Sequence, residues 1–271
     1  MMTVETPSPS TAVETDTLVD VDDITIRFDS KKSSVVALRG VSLQIQQGEF
    51  IAIVGPSGCG KSTLLRAISG ITSTTEGSVS LRGDQVVGPR QDVGFVFQRP
   101  ALMPWRDVRR NILLQAEMRG MDRVEARERC EDLIQFTGLT GFEKSLPHQL
   151  SGGMQQRAAL CRSLLHQPDV LLMDEPFGAL DALTREKMNV EMQRMWRERD
   201  MTAALVTHSV AEAVYLATRV VVMGARPGHV VEEFTVNLPR ERDYEETMED
   251  PEFHRVAGRV RELLGSASSH E

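Results

Sequence analysis

Cysteine is scarce: the 271 residues hold three (Cys59, Cys130 and Cys161), an odd number without a C-x-x-C pair or a Cys/His cluster. That excludes a disulfide framework and a cysteine zinc site, and it fits a reducing compartment. An excess of basic residues is missing too. With 31 Lys and Arg against 39 Asp and Glu, the formal charge is −8, which disfavours a nucleic-acid surface built on phosphate contacts but leaves room for a local basic patch. No apolar run approaches the roughly 18 residues needed to span a bilayer. The first 26 residues contain no Lys or Arg and no apolar signal core, so neither a secretory nor a mitochondrial leader is expected. What is present is a hydrophobic fraction of 41%, too high for a disordered chain. The expectation is a soluble, cytoplasmic, globular protein of one large domain or two small ones, its partner undecided by composition.

Residues 1–18 read as a disordered lead, because the stretch through Thr17 is rich in Ser, Thr, Pro and Glu with little to bury. Residues 23–28, 41–45 and 78–81 then alternate apolar and polar, the pattern of antiparallel strands. By contrast, 50–54, 170–173, 203–206 and 220–223 are continuous apolar runs, as in parallel strands covered on both faces. Helical stretches come after several of them, which implies an α/β fold whose ligands bind beyond the carboxyl ends of the strands. Between about 98 and 167 the strand runs give way to helices expected over 107–119, 124–136 and 154–166, an inserted helical subdomain within a domain running from 19 to 238. The tail, 239–271, opens on a polar, mostly acidic run succeeded by a short helix over 253–264 and reads as a mobile appendix. No internal repeat is visible.

The run Gly55-Pro56-Ser57-Gly58-Cys59-Gly60-Lys61-Ser62-Thr63 fits G-x-x-x-x-G-K-[ST], directly after one apolar run and before a helical one. Glycines let successive N–H groups curl around one anion, and the adjoining helix adds its positive end. Lys61 brings a mobile charge for the outer phosphates, and the Ser62 hydroxyl is a hard oxygen suited to Mg²⁺. The plainer alternative is a glycine-rich turn opening a helix. Cys59 reads as a packing residue, with a redox-sensitive nucleotide site as the alternative.

The run 170–173 leads straight into Asp174-Glu175-Pro176, and proline forbids continuation of the ladder. Two carboxylates thus stand where a buried strand emerges. Asp174 can hold Mg²⁺ against the phosphates, and Glu175 can orient or deprotonate a water attacking the γ-phosphate. An isolated Asp-Glu is more often a solvated turn, but beside a phosphate loop the catalytic reading is favoured. His208, just past the run 203–206, shares a strand-end position and is expected to contact the γ-phosphate.

Leu150-Ser-Gly-Gly-Met-Gln-Gln-Arg157 resembles the signature motif of ABC transporter ATPases. Ser151, Gly152 and Gly153 would precede a helix from Met154, making a second anion-binding helix end that favours negative charge by roughly 0.3–2 kcal/mol. The resemblance implies a P-loop NTPase core with a mostly parallel sheet, an N-terminal antiparallel subdomain and the helical insert. It also implies a head-to-tail ATP-sandwich homodimer, in which the signature of one subunit closes over ATP held by the other. By the same resemblance Phe28 stacks on adenine, Gln98 is the Q-loop glutamine that senses γ-phosphate, Mg²⁺ and water, Asp181 is the D-loop aspartate, and His208 is the switch histidine. A Phe ending an alternating strand is also often plain core.

Phe97-Gln98, Leu102-Met-Pro-Trp105, 173–185 and Arg226-Pro-Gly228 narrow the resemblance to ATPase subunits of nitrate, sulfonate and taurine importers. This narrower resemblance implies an ATP-hydrolysing subunit with ATP and Mg²⁺ as cofactors, Ser62, Gln98 and Asp174 at the metal, and Glu175, His208, Gln98 and Lys61 in catalysis. Its partners would be membrane permease subunits, indirectly a solute-binding protein, and no nucleic acid, at the cytoplasmic face of the membrane. Trp105 would anchor the permease's coupling helix if exposed. Ser209, Cys161, Ser163 and Thr218 depart from the family's usual wording without removing a catalytic group. Met188, Met192, Met195 and Trp196, at helical spacing, read as core. A soluble ABC ATPase of DNA repair or cluster assembly is the alternative, although repair members usually carry long coiled-coil insertions that this chain lacks. A degenerate scaffold is disfavoured because every catalytic position is filled.

Overall fold

The computed structural model describes residues 17–30 and 33–268. The disordered lead expected over 1–18 lies outside them except for Thr17 and Leu18, which already belong to the first strand, with Leu18 buried. The amino-terminal half runs β1 (Thr17–Asp29), β2 (Ser34–Gln46), β3 (Phe50–Val54), α1 (Lys61–Ile68), β4 (Glu76–Leu81), β5 (Asp84–Gln85) and β6 (Val93–Val96). Three helices come next, α2 (Val108–Arg119), α3 (Arg123–Phe136) and α4 (Gly152–Leu164), with a 3-10 turn at Pro147–Gln149. The remainder is β7 (Val170–Asp174), α5 (Ala182–Arg199), β8 (Thr202–Val206), α6 (Val210–Leu216), β9 (Arg219–Gly224), β10 (His229–Thr235), α7 (Tyr244–Glu249) and α8 (Pro251–Ser268).

Two sheets result. The antiparallel one has the order β2-β1-β4-β5; the other has the order β10-β9-β3-β8-β7-β6, parallel from β9 to β6 with β10 antiparallel at its edge. Every residue of β3, β7 and β8 is buried, because side chains alternate between two apolar layers. Ile51 and Ile53 face a core shared with α1 and the antiparallel sheet, while Phe50, Ala52 and Val54 face one shared with the helices. Met188, Met192, Met195 and Trp196 lie in that second core as expected. Trp196 stands edge-on to Phe50 at 6.0 Å and donates its indole N–H to Gly48 O at 3.2 Å.

Asp107 caps α2 by accepting from Arg110 N at 2.7 Å, and Gly120 ends that helix in the left-handed region at φ +65°. The next helix starts in the same way, with Asp122 accepting from Val124 N and Glu125 N. Expected to begin at Met154, α4 instead begins at Gly152, because the Ser151 hydroxyl accepts from Met154 N at 3.3 Å and draws the glycine pair into the first turn. Sequence patterning did not isolate β6, a four-residue strand interrupted by Gly94. A Cβ on Gly94 would lie 2.8 Å from Ser163 O and Pro168 Cγ, so α4 packs too close for any other residue.

The tail corrects its expectation of mobility. Phe253, Val256, Ala257 and Val260 recur at helical spacing and are buried in the same core as Trp196 and Tyr215. The acidic run before them masks an amphipathic α8 whose apolar face docks on α6 and β9. Among the described residues no helix is long and apolar enough to cross a membrane. Truncating Phe253, which is only 4% exposed, to alanine should cost about 3–5 kcal/mol of stability. Urea unfolding monitored by tryptophan fluorescence checks this, and an unchanged midpoint would mean that α8 does not dock in solution.

Candidate functional site

Parallel register brings the carboxyl ends of the central strands level. Ile53 pairs with Val206, Asp174 also pairs with Val206, and Val96 pairs with Met173. Four chain segments therefore leave the sheet side by side, carrying Gly55 from β3, Gln98 from β6, Glu175 from β7 and His208 from β8.

Beyond β3 the loop coils back on itself. Gly58 and Gly60 have φ of +77° and +94°, where a side chain is strained. A Cβ on Gly60 would also come within 2.5 Å of Leu38 Cδ2, so β2 presses against the loop. Gly60 caps α1 without a side-chain acceptor, which leaves the first-turn N–H groups available to an anion. Lys61 is only 7% exposed. Its ammonium donates to Gly55 O at 2.8 Å and Pro56 O at 3.0 Å, curled over the loop it would share with phosphate. Pro56 and Ser57 form the loop's outer rim, and Thr63 lies in the first turn of α1. Cys59 is fully buried. Burial pushes its thiol pKa up, outweighing the nearby Lys61, which favours packing over the redox reading, since the thiolate is the reactive form.

The Ser62 hydroxyl donates to Asp174 Oδ1 at 2.7 Å, so two hard oxygens from opposite sides of the cleft meet beside Lys61. That pair suits Mg²⁺. One residue further, Glu175 sits at φ +46°, a left-handed conformation costly for glutamate. It is held there because its N–H donates to Val206 O at 2.9 Å. The strained turn aims the carboxylate across the strand ends: Oε2 accepts from Gln98 Nε2 at 3.2 Å and lies 3.5 Å from His208 Nδ1. Glu175, Gln98 and His208 thus converge on one point.

Other expected residues lie elsewhere in the chain. Ser151 caps α4, and a Cβ on Gly153 would stand 2.8 Å from Thr184 Cγ2. A Cβ on neighbouring Gly152 would approach Leu180 Cδ2 at 3.8 Å. Asp181 caps α5 by accepting from Thr184 N at 3.0 Å, and this backbone N–H holds its carboxyl below the usual range. The signature segment and Asp181 therefore meet at Thr184. Among the described residues no hydrogen bond links them to the phosphate loop. Phe28, 49% exposed, lies near the end of β1 opposite exposed Val35, so the plain-core reading does not fit it. Trp105 is 72% exposed, as an anchor requires.

Three positioning side chains escaped the sequence reading. Arg185 donates to Phe177 O at 3.3 Å and Leu180 O at 3.0 Å, bracing the turn between Glu175 and Asp181. Arg162 grips Pro100 O and Ala101 O, each at 2.8 Å, and Gln156 Nε2 reaches Phe97 O at 3.4 Å. Their partners are main-chain carbonyls, which leave no complementary side chain in the sequence to pair them with.

Residues 38–178 match the ABC transporter family. An uncharacterized ABC transporter ATP-binding protein of Methanocaldococcus jannaschii is 47% identical over 82% of this chain and 84% of its own length. The nitrate import ATP-binding protein NrtD of Synechocystis is 40% identical over 93% of this chain and 97% of its own. A taurine import ATP-binding protein, TauB of Jannaschia, is 43% identical over 90% and 92%. Among solved structures, a dimeric ATP-binding cassette in a post-hydrolysis state bound to ADP and Pi aligns with a TM-score of 0.72 at 31% identity, over 82% of this chain and 100% of that one. The cbiO1 cassette of Clostridium perfringens, at 24% identity, shares the fold with a TM-score of 0.73 over 93% of this chain and 99% of that one. With these relatives and a phosphate loop facing two carboxylates across level strand ends, the chain belongs to the ABC transporter family as one of its ATP-binding cassettes.

Proposed function

We propose that this chain is the ATP-hydrolysing subunit that powers an importer for a small anion or related solute of the nitrate, sulfonate or taurine kind. It works as an ATP-sandwich homodimer docked on membrane permease subunits at the cytoplasmic face. The observation that carries the reading is the convergence of Gln98 and His208 on the Glu175 carboxylate, beside the Ser62 and Asp174 pair. Relatives named as nitrate, taurine and aliphatic sulfonate import ATP-binding proteins support the transport assignment. The alternative in DNA repair or cluster assembly has no such support, and the segment between β6 and β7 folds into short helices rather than a coiled coil.

ATP enters with its phosphates on the loop from Gly55 to Thr63, and Lys61 exchanges its carbonyl partners for phosphate oxygens. Phe28 offers its exposed ring to adenine. Ser62, Asp174 and Gln98 would hold Mg²⁺, which neutralises charge on the outer phosphates. Glu175 accepts the proton of the attacking water, and Gln98 and His208 hold that water and the γ-phosphate in line. Ser151, Gly152 and Gly153, with Asp181, complete the partner subunit's site, giving it a second helix end aimed at phosphate. Trp105 anchors the permease, which a solute-binding protein serves in turn; nucleic acid is no partner.

Glu175→Gln should keep ATP binding while turnover falls at least about 10²-fold, and an ATP-dependent dimer should accumulate in size-exclusion chromatography. Wild-type turnover would overturn the base assignment. The sandwich has its own test. Lys61→Ala and Ser151→Arg should each abolish turnover alone, but mixing them creates heterodimers with one intact composite site and one doubly damaged site. Partial recovery of ATPase activity on mixing is the expected result, and no recovery despite demonstrated heterodimers would count against a shared site.

A further inference from the structure

His208 stands between Thr207 and Ser209, and both neighbours are tied to Glu212, Thr207 through its buried carboxyl and Ser209 through its backbone N–H. The Thr207 hydroxyl donates to Glu212 Oε2 and accepts from Ser209 N at 3.0 Å; Glu212 N in turn donates to the Ser209 hydroxyl at 3.3 Å. The loop bearing the histidine is thereby closed into a ring of hydrogen bonds that begins and ends on Glu212.

That carboxyl is costly to bury. Glu212 is 4% exposed, and its second oxygen, Oε1, is buried without a hydrogen-bond partner. Such an orphan costs about 1–3 kcal/mol or more; an apolar side chain of similar length would remove it but would take the acceptor from the buried Thr207 hydroxyl. Burial pushes the carboxyl above its ordinary pKa, a rise that Thr207, Arg185 and His208 oppose and Glu175 reinforces. A buried polar group left half-satisfied beside reacting groups calls for a functional account.

A carboxyl can fix a loop only if its own helix is fixed. The far end of α6 is gripped by the carboxyl-terminal segment: buried Arg242 donates to the carbonyls of Val214, Tyr215 and Ala217 at the helix terminus and to Pro239 O. Tyr244 stacks edge-on against Tyr215 at 5.0 Å. A cation at a helix C-terminus offsets the negative end of the helix dipole and satisfies its orphan carbonyls.

We infer that Glu212 is a positioning residue for the switch histidine, holding residues 207–209 so that His208 Nδ1 stays 3.5 Å from Glu175 Oε2. The inference rests on the proposed role of Glu175 and His208 in ATP hydrolysis. Among the described residues no hydrogen bond or ion pair joins Glu212 to the phosphate loop, so its loss should misplace the histidine without weakening nucleotide binding.

The test is steady-state ATPase kinetics of the purified full chain with MgATP. Glu212→Met should lower kcat about 10- to 10²-fold, the range expected when a reacting group is displaced by about an ångström, with KM for ATP unchanged. Glu212→Gln, whose amide oxygen still accepts the Thr207 hydroxyl, should bring kcat back to within about threefold of wild type. Thr207→Val deletes that hydrogen bond from the other side at nearly constant volume, together with the one from Ser209 N, and should show at least the Glu212→Met defect even if that variant folds poorly. In a His208→Ala background, adding Glu212→Met should lower kcat by less than about twofold, since the group it positions is already gone. An equal fall in both backgrounds, a rise in KM in place of the fall in kcat, or no rescue by glutamine would overturn the inference while leaving the proposed function intact. Wild-type turnover in His208→Ala itself would overturn the histidine's role and the inference with it.

Discussion

The level register of the parallel strands is the constraint on which the site depends. Because Ile53 and Asp174 both pair with Val206, the ends of β3, β7 and β8 lie level, and a residue's distance past that level decides its depth in the cleft. Asp174, still within β7, meets Ser62 at the floor; Glu175, one step further and forced to φ +46°, turns sideways toward Gln98 and His208. Slipping any strand by one residue would exchange inward and outward faces. A sheet apolar on both faces would tolerate the new exposure pattern, but it would not tolerate the loss of this alignment. Packing and chemistry are set by the same pairings.

A second consequence concerns charge. The chain carries −8 overall, yet Lys61 is buried with carbonyl oxygens as partners, and among the described residues no ion pair neutralises it. Carbonyl dipoles satisfy its N–H groups but leave most of its charge uncompensated, in surroundings where water screens poorly. The phosphate loop therefore offers a cation and the uncapped start of α1 to an anion, within a protein that is negative overall.

Much of this architecture is legible in the amino-acid sequence alone. Continuous apolar runs mark β3, β7 and β8 because doubly covered strands need no polar alternation, and the phosphate loop with Asp174-Glu175 carries its chemistry in contiguous residues. Illegible features share a different property. Short β6 is interrupted by a glycine that only the close approach of α4 explains. The docking of α8 hid behind an acidic run that says nothing about the apolar stripe after it. Arg162, Arg185 and Arg242 all bond to backbone carbonyls, an acceptor every residue possesses, so no side-chain pattern could announce them.

Those arginines also decide which parts of the molecule move together. Arg162 and Gln156 lie on α4, the helix that begins at the signature residues, and they hold the backbone of Phe97, Pro100 and Ala101. Ser163, on the same helix, donates to Phe95 O at 2.8 Å, inside β6 itself. A shift of α4 that preserves these bonds must drag the segment bearing Gln98, and with it one of the two side chains that converge on Glu175. The alternative is to break charge-assisted hydrogen bonds from a buried guanidinium, which costs more than bending a loop. In the proposed sandwich, closure of the signature end on a nucleotide and placement of the Gln98 amide would thus be one mechanical event. On the other side of the cleft His208 depends on α6 and the carboxyl-terminal segment, so the two groups flanking Glu175 answer to different parts of the chain. In the proposed mechanism the carboxylate can act as a base only when both parts agree.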